Sequence, residues 1–573
     1  MLTVGLPGRA VLTCGVVLAL TGCTSISRSN LDELQRVLPA PPTRPSLADR
    51  RVLQRDEANE GTLYCEQPCD LEGQVFGRVL ANGQPLCGLD WHLIGRAADG
   101  TCVVTLRRIP VGGPYRVELE VRDADGHALT AWSADHVLVG DIWILAGQSN
   151  MEGRGDLADA ETPSPLVCCY GLNERWSIAE EPLHWLNESL DPVHHAGQTP
   201  AQAVADVTAP RSPRAKGAGL GLPFAKELYA RTGVPVGLVP CAHRGTAIEQ
   251  WDPAGAPLGA RSLYGSMLRR FQAVGGHVRG VLWYQGEDDA HPVQDNAYSV
   301  RLEQLIAAVR RDFGDPRLQF HIVQLARTVN YPQADDYWAA IREQQRHVAE
   351  ELPNVEIVTA IDLPLEDGLH VATPGLKELG RRLALVACHE LLGERVVRPG
   401  PRLRRVVVED ADRGIVRVCF DDANGRLRPE DDIVGFSLRG PTPTPTPTRT
   451  PTPGLAWALR TRPHDVQTEL HNVYVDPARP DTVICRLGMP IRPGVSLCYG
   501  YGRNPACNLT DEQNLPAPTF GPIPLLPPDG RQVIQAVVHS SALHSISDQP
   551  RPPKPPFAPA AAKPNGHGRG RKT

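Results

Sequence analysis

The sequence lacks the features that would mark a nucleic-acid binder, a membrane-spanning protein or a metalloenzyme. Its 59 Lys and Arg are outnumbered by 65 Asp and Glu, for a net charge of −6, so no basic excess is available to neutralise a phosphate backbone. The apolar run near the start, Ala10–Thr21, is too short to span a bilayer as a helix. No paired CxxC or matched histidines accompany the 14 cysteines, which argues against a zinc site. The glycine-rich stretch Gly217–Gly221 (GAGLG) does not directly follow a strand, so it is no dinucleotide fingerprint. No metal or other cofactor is implied. Aromatic residues are few, whereas the 55 prolines point to linkers between folded parts. Apolar content of 41% is enough for a real core, and 573 residues leave room for about two to four domains.

The N-terminus reads as a targeting segment. Arg9 supplies a thin positive region and Ala10–Thr21 the apolar one. They end in Leu20–Cys23, LTGC, which resembles the lipobox of bacterial lipoproteins. That resemblance implies a signal peptide over residues 1–22 and acylation of the Cys23 thiol. The mature chain would then be exported and lipid-anchored to the bacterial cell envelope at a membrane surface, without crossing it. Export permits disulfides, with Cys65, Cys69, Cys485, Cys498 and Cys507 as plausible partners of open connectivity.

Composition divides the rest. Residues 23–62 are polar and proline-bearing and read as a disordered tether. In Pro114–Arg122, PYRVELEVR, apolar and charged residues alternate, as in a half-buried antiparallel strand, so residues 63–139 are expected to form a β-rich domain. Over residues 140–395 strands and helices alternate. The strand candidates are Asp141–Ala146, Val236–Cys241, Val278–Tyr284, Leu318–Leu325 and Val355–Ile361, and helical stretches include Phe224–Gly233, Ala297–Gly314 and Pro374–Gly393. Such βα units predict a parallel, three-layer α/β sheet, with ligands at the carboxyl ends of its strands. Residues 159–215 interrupt this rhythm as a long irregular loop holding Trp185 and His194–His195. Residues 396–525 are β again, broken by the Pro-Thr insert 441–453, which reads as an extended spike, and residues 526–573 are a Pro-rich, basic, disordered tail.

Four stretches carry the chemistry. Gly147–Met151 (GQSNM), His243–Trp251 (HRGTAIEQW), Trp283–Glu287 (WYQGE) and Asp367–His370 (DGLH) all fall at carboxyl ends of expected parallel strands. Folding would bring them to one rim. A histidine three residues after a carboxylate can have its ring positioned by that carboxylate, and with a serine this makes a nucleophile, a general base and an orienting acid. Asp288, Asp289 and His291 read as a solvated loop in preference to a metal site.

These blocks, with DGLHVATPGLKELGRRLA at 367–384, resemble those of the SGNH hydrolases. More narrowly they resemble the branch of sialate O-acetylesterases and acetylxylan esterases, over about residues 63–525. The resemblance implies a three-layer, flavodoxin-like α/β hydrolase core flanked by small β-rich domains. It also implies a serine esterase that acts on an O-acetylated sugar or polysaccharide through an acetyl-enzyme. Ser149 would be the nucleophile, His370 the base and Asp367 its orienting acid. The oxyanion hole would be the N–H groups of Ser149 and Gly245 with the side-chain amide of Gln285. Some members use the glutamate of the third block as the acid, so Glu287 stands as the alternative to Asp367. Arg244 occupies a position that is usually glycine in the family. A second reading is a catalytically inactive carbohydrate-binding or adhesive surface lipoprotein on the same scaffold.

Overall fold

A computed structural model describes residues 28–40, 45–291, 297–330, 335–392, 397–429, 431–440 and 470–526. Its centre is a mixed sheet of 14 strands among the described residues. The strand Ala128–Gly147 runs through the whole sheet. Its first half pairs antiparallel with Gly112–Arg122, inside a β-rich layer built from residues 60–122. Its second half lies between two parallel neighbours, Val236–Pro240 and Gly280–Tyr284. The parallel part continues to Val167–Tyr170 on one side, and to Gln319–Gln324 and Val355–Thr359 on the other. The expected border at 139/140 therefore lies inside one unbroken strand. Burial explains the change of character along it: exposed residues alternate with less exposed ones from 129 to 136, and every residue from 137 to 147 is buried.

The parallel strands match the sequence expectation, with one addition. Val167–Tyr170 (VCCY) lies inside the stretch read as an irregular loop. Four residues are too few for periodicity to declare a strand. Helices Gly221–Thr232 and Thr373–Leu392 pack on each other, while Leu263–Ala273, Ala297–Phe313 and Asp335–Glu351 form a second group.

The disordered-tether reading of 23–62 is corrected for the described part. Arg28–Val37 is a helix that buries Leu31 and Leu34, with Leu38, against Ala203. Val52–Gln54 is a strand parallel to the central one, with Val52 fully buried. Leucines at spacings of three and four make one apolar helix face, which the polar average of the segment conceals. Disulfides are not formed: the 12 described cysteines are free thiols, and all but Cys87 are buried. The C-terminal strands form two small antiparallel sheets over a separate core that includes Val416, Val418 and Leu497. Cys23, the Pro-Thr insert and the basic tail lie outside the described residues.

A buried carboxylate pins the start of the parallel half. Asp141, 1% exposed, accepts from Arg55 at 2.8 and 3.0 Å, from Arg279 at 2.9 Å and from Gln54 at 3.1 Å. Replacing it by alanine leaves two guanidinium groups without their anion. Asp141→Ala should lower unfolding free energy by about 3 kcal/mol in urea titrations, and a loss below about 1 kcal/mol would assign the cluster no structural weight.

Candidate active site

The central strand ends at Gly147, and the short helix Ser149–Glu152 starts immediately after it. At Gly147, where φ is +134°, a Cβ would stand 2.1 Å from the Tyr284 carbonyl oxygen, so the turn requires glycine. Neighbouring strands of the sheet lie to either side of this turn and are reached by connections that run in opposite directions. Ser149 thus sits at a topological switch point, where open parallel sheets bind ligands.

Three of the expected residues meet here. His370 Nε2 lies 3.0 Å from Ser149 Oγ. The other ring nitrogen, Nδ1, lies 2.8 Å from Asp367 Oδ2. Asp367 Oδ1 accepts from the backbone N–H of Leu369 at 2.7 Å and of His370 at 2.8 Å, which locks the DGLH turn around its own carboxylate. Partial burial pushes the Asp367 carboxyl up, but the hydrogen bonds from His370 and Leu369 outweigh it and hold the group below its ordinary value. The Asp367 side chain is 52% exposed and that of His370 15%. Asp367 therefore meets the ring from its solvent side.

Glu287 lies elsewhere. Its Oε1 accepts from Asn150 Nδ2 at 2.7 Å, and Asn150 Oδ1 accepts from the Val371 N–H at 3.0 Å. Asn150 thus links the serine turn to both the glutamate loop and the histidine loop. Glu287 is buried, and its Oε2 has no protein partner. Burial drives its pKa up to about 7, against the Asn150 hydrogen bond.

Gln285 departs from the expected role. It is fully buried, and its Nε2 donates to Asp289 Oδ2 at 2.6 Å, to the Thr246 carbonyl at 2.9 Å and to Gln148 Oε1 at 3.2 Å. It is a strut behind the oxyanion loop and not a donor at its mouth. Asp288 and His291 are exposed, as the sequence suggested, and half-buried Asp289 joins Asp288 in bracing the neighbouring loops. Asp288 accepts from Gln148 at 2.8 Å, and Asp289 from Gln285 and the Ile248 N–H. No local pattern announces these roles, because they depend on which loops the sheet brings together.

In the oxyanion loop the N–H groups of His243, Arg244, Ala247 and Ile248 all donate to protein acceptors. Gly245 is exposed at φ +63°, with open space where a Cβ would be, and its N–H has no protein acceptor among the described residues. Arg244 turns to the serine helix: its N–H donates to Glu152 Oε2 at 3.0 Å, and its guanidinium lies 3.4 Å from Oε1 while the side chain stays 45% exposed. Burial raises the Glu152 carboxyl against the pull of Arg244, Arg154 and Arg214. Arg244 alone of the three touches this buried acid, and Arg154 and Arg214 act on it electrostatically.

The site can attack an ester carbonyl. Ser149 touches the His370 ring, that ring touches the Asp367 carboxylate, and the Gly245 N–H has no acceptor among the described residues. Residues 139–389 match the family described as carbohydrate esterase, sialic acid-specific acetylesterase. A probable carbohydrate esterase of Arabidopsis thaliana is 31% identical over 263 residues, which is 42% of this chain and 88% of that protein. Human sialate O-acetylesterase is 24% identical over 315 residues, 47% of this chain, and the chain spans 56% of that protein's length. The crystal structure of a carbohydrate acetylesterase from Xanthomonas citri superposes with a TM-score of 0.57 at 26% identity, covering 84% of this chain and 99% of that one.

Glu287 generates a stability prediction. A carboxyl whose pKa rises on folding destabilises the fold as pH climbs from its ordinary 4.5 through about 7, and has no such effect below 4.5. Glu287→Gln keeps an acceptor for Asn150 and removes the charge. At about pH 8 the variant should be more stable than wild type by up to ~3 kcal/mol, with the difference vanishing near pH 4. A difference that does not change with pH in urea titrations would mean that Glu287 titrates normally.

Proposed function

The chain belongs to the carbohydrate esterase family, in its sialic acid-specific acetylesterase branch, and is a carboxylic ester hydrolase; on that premise we propose that it removes O-acetyl groups from sugars through an acetyl-enzyme on Ser149. The observation that carries the proposal is the continuous contact Ser149–His370–Asp367. His370 Nε2 takes the serine proton as Oγ attacks the acetyl carbonyl. Negative charge grows on the carbonyl oxygen, and the N–H groups of Ser149 and Gly245 stabilise it there. His370 then returns the proton to the departing sugar oxygen. Water attacks the acetyl-serine with the same histidine as base, and acetate leaves. Asp367 keeps the ring in the tautomer that faces Ser149 and stabilises the imidazolium. Glu287 acts through Asn150 as a clamp between loops and not as the triad acid. In this reading the parallel half of the sheet and its two helix groups form a three-layer SGNH hydrolase core, flanked by β-rich domains.

The substrate we favour is an acetylated acidic sugar of the sialic acid type. Arg244 contacts Glu152, three residues from the nucleophile, and keeps much of its side chain exposed, where it can meet a substrate carboxylate. The chain spans about half the length of the mammalian sialate O-acetylesterases it matches. The preference is therefore tested directly, with O-acetylated sialic acid and a neutral acetylated xylose as competing substrates. For the sequence outside the described residues, we propose lipid anchoring at Cys23, which would hold the enzyme at the cell envelope.

Ser149→Ala should leave the thermal melt unchanged and lower turnover of a chromogenic acetate ester by several powers of ten. Retention of more than about a tenth of the rate would exclude Ser149 as nucleophile and favour the sugar-binding, non-catalytic reading. Asp367→Asn should lower kcat by roughly 10²–10³, short of the ~10⁴ seen for a buried triad acid because solvent reaches Asp367. Glu287→Gln should lose about tenfold or less. The opposite ranking of these two variants would make Glu287 the acid.

For the anchor, Cys23→Ser should abolish acylation and leave uncleaved precursor or soluble protein in a membrane fractionation. Unacylated variant that still sediments with membranes would refute anchoring through Cys23.

A further inference from the structure

The oxyanion loop is held from behind by a contact that the reaction scheme does not use. His243 is the first residue of that loop, and its N–H donates to the Gly147 carbonyl at 3.0 Å. Its ring Nδ1 lies 2.9 Å from Nδ1 of His194, with the two rings edge to edge at an interplanar angle of 21° and their centroids 5.1 Å apart. His194 belongs to the short turn Pro192–His195 in the long segment between the first two blocks. Two imidazole nitrogens at that separation share one proton: one ring donates and the other accepts.

The direction of donation follows from the groups behind His194. Arg269 donates to Asp191 Oδ2 at 2.9 Å. Ser266 Oγ donates to the same oxygen at 2.5 Å, so its own lone pairs face His194 Nε2 at 3.4 Å. His194 therefore carries its proton on Nε2 and accepts at Nδ1, and His243 donates from Nδ1. We propose that His194 is a positioning residue: by accepting the His243 Nδ1 proton it fixes the loop that aims the Gly245 N–H at the oxyanion. The inference rests on the Ser149–Gly245 reading above.

Burial supports the arrangement. It pushes His243 down to about 4, helped by Arg244 and His195, and His194 well below its ordinary value, helped by His243, Arg270, His195 and His184. The Asp191 carboxylate reaches the His194 ring through Ser266 and is paired with Arg269, and the Asp191 carbonyl accepts the His194 N–H at 3.1 Å. At neutral pH neither ring is charged, and a single proton lies between them.

A packing role and a positioning role predict different results. His194→Phe keeps an aromatic ring at the position but removes the acceptor. His194→Asn places an amide oxygen where Nδ1 stood. With the acetate ester as substrate, His194→Phe should lower kcat by about tenfold to a hundredfold, because a displaced donor acts only on the transition state, and KM should stay within about twofold. His194→Asn should recover most of the loss, with both melting temperatures near wild type. A His194→Phe enzyme with more than half the wild-type kcat, a loss confined to KM, or equal losses in the two variants would overturn the proposal. If His194→Phe does not fold, wild-type protein with isotope-labelled imidazole nitrogens decides the matter. A scalar coupling between the two Nδ1 nuclei is expected, and two uncoupled signals would refute the shared proton. Inactive wild-type enzyme would count against the esterase reading, and the coupling would still test the histidine pair.

Discussion

The active-site rim depends on one steric constraint at the end of the central strand. That strand must stay against the backbone of Gly280–Tyr284 to its last residue and then leave it. At Gly147 no side chain fits beside the Tyr284 carbonyl, and the next N–H, that of Gln148, donates to that same oxygen at 2.8 Å. The chain is thereby anchored until one residue before the serine. Everything else takes its position from this point. The Gly147 carbonyl receives His243, and the Gln148 side chain receives N–H groups from the 285–288 loop. Asn150 spans to Glu287 and Val371. One close backbone approach thus coordinates three loops that are distant in sequence.

Around that point, environment assigns different tasks to similar carboxyls. Asp367, half exposed and held by two backbone N–H groups, is kept below its ordinary pKa and faces the His370 ring. Glu287, fully desolvated with one amide partner, moves towards the neutral form. Glu152 is also desolvated, but Arg244 offsets part of that cost. A carboxylate that must stabilise an imidazolium has to be charged at working pH. On that ground alone the DGLH aspartate suits the role better than the buried glutamate.

The flanking C-terminal β segment is part of this support. Arg342, 1% exposed, donates to the carbonyls of Leu325 and Ala326 at the end of one parallel strand and to Gly502 at 2.6 Å. Its guanidinium is matched by carbonyl dipoles and not by a carboxylate, and burial lowers its pKa to about 9. The helix that carries Arg342 also carries Gln345, which donates to the Gln285 carbonyl at 2.9 Å. A single helix therefore connects the accessory strands to the loop behind the oxyanion hole.

Much of this was legible from local pattern. Alternation in Pro114–Arg122, the apolar runs before each block and the glycine-stopped helices are properties of neighbouring residues, and they sufficed for the strands and the βα order. The serine, histidine and aspartate could be named because the aspartate and histidine share one turn and each block follows a strand. What local pattern could not reveal is which partner a side chain finds across the fold. The helix at 28–37 was hidden because its leucines are buried by a segment more than 160 residues away. The amide of Gln285 was free to face the substrate until three acceptors from separate loops surrounded it. The cysteines were candidates for bridges, but Cys65 and Cys69 in one core and Cys485 and Cys507 in another are packed there as free thiols. The sequence by itself determined the order of elements and the chemistry of each block, because both arise from short-range sterics and residue type. Only the tertiary structure decided which acid meets the histidine, which amide serves as strut and which ring backs the oxyanion loop, because hydrogen bonds a few ångströms long depend on where distant loops come to rest.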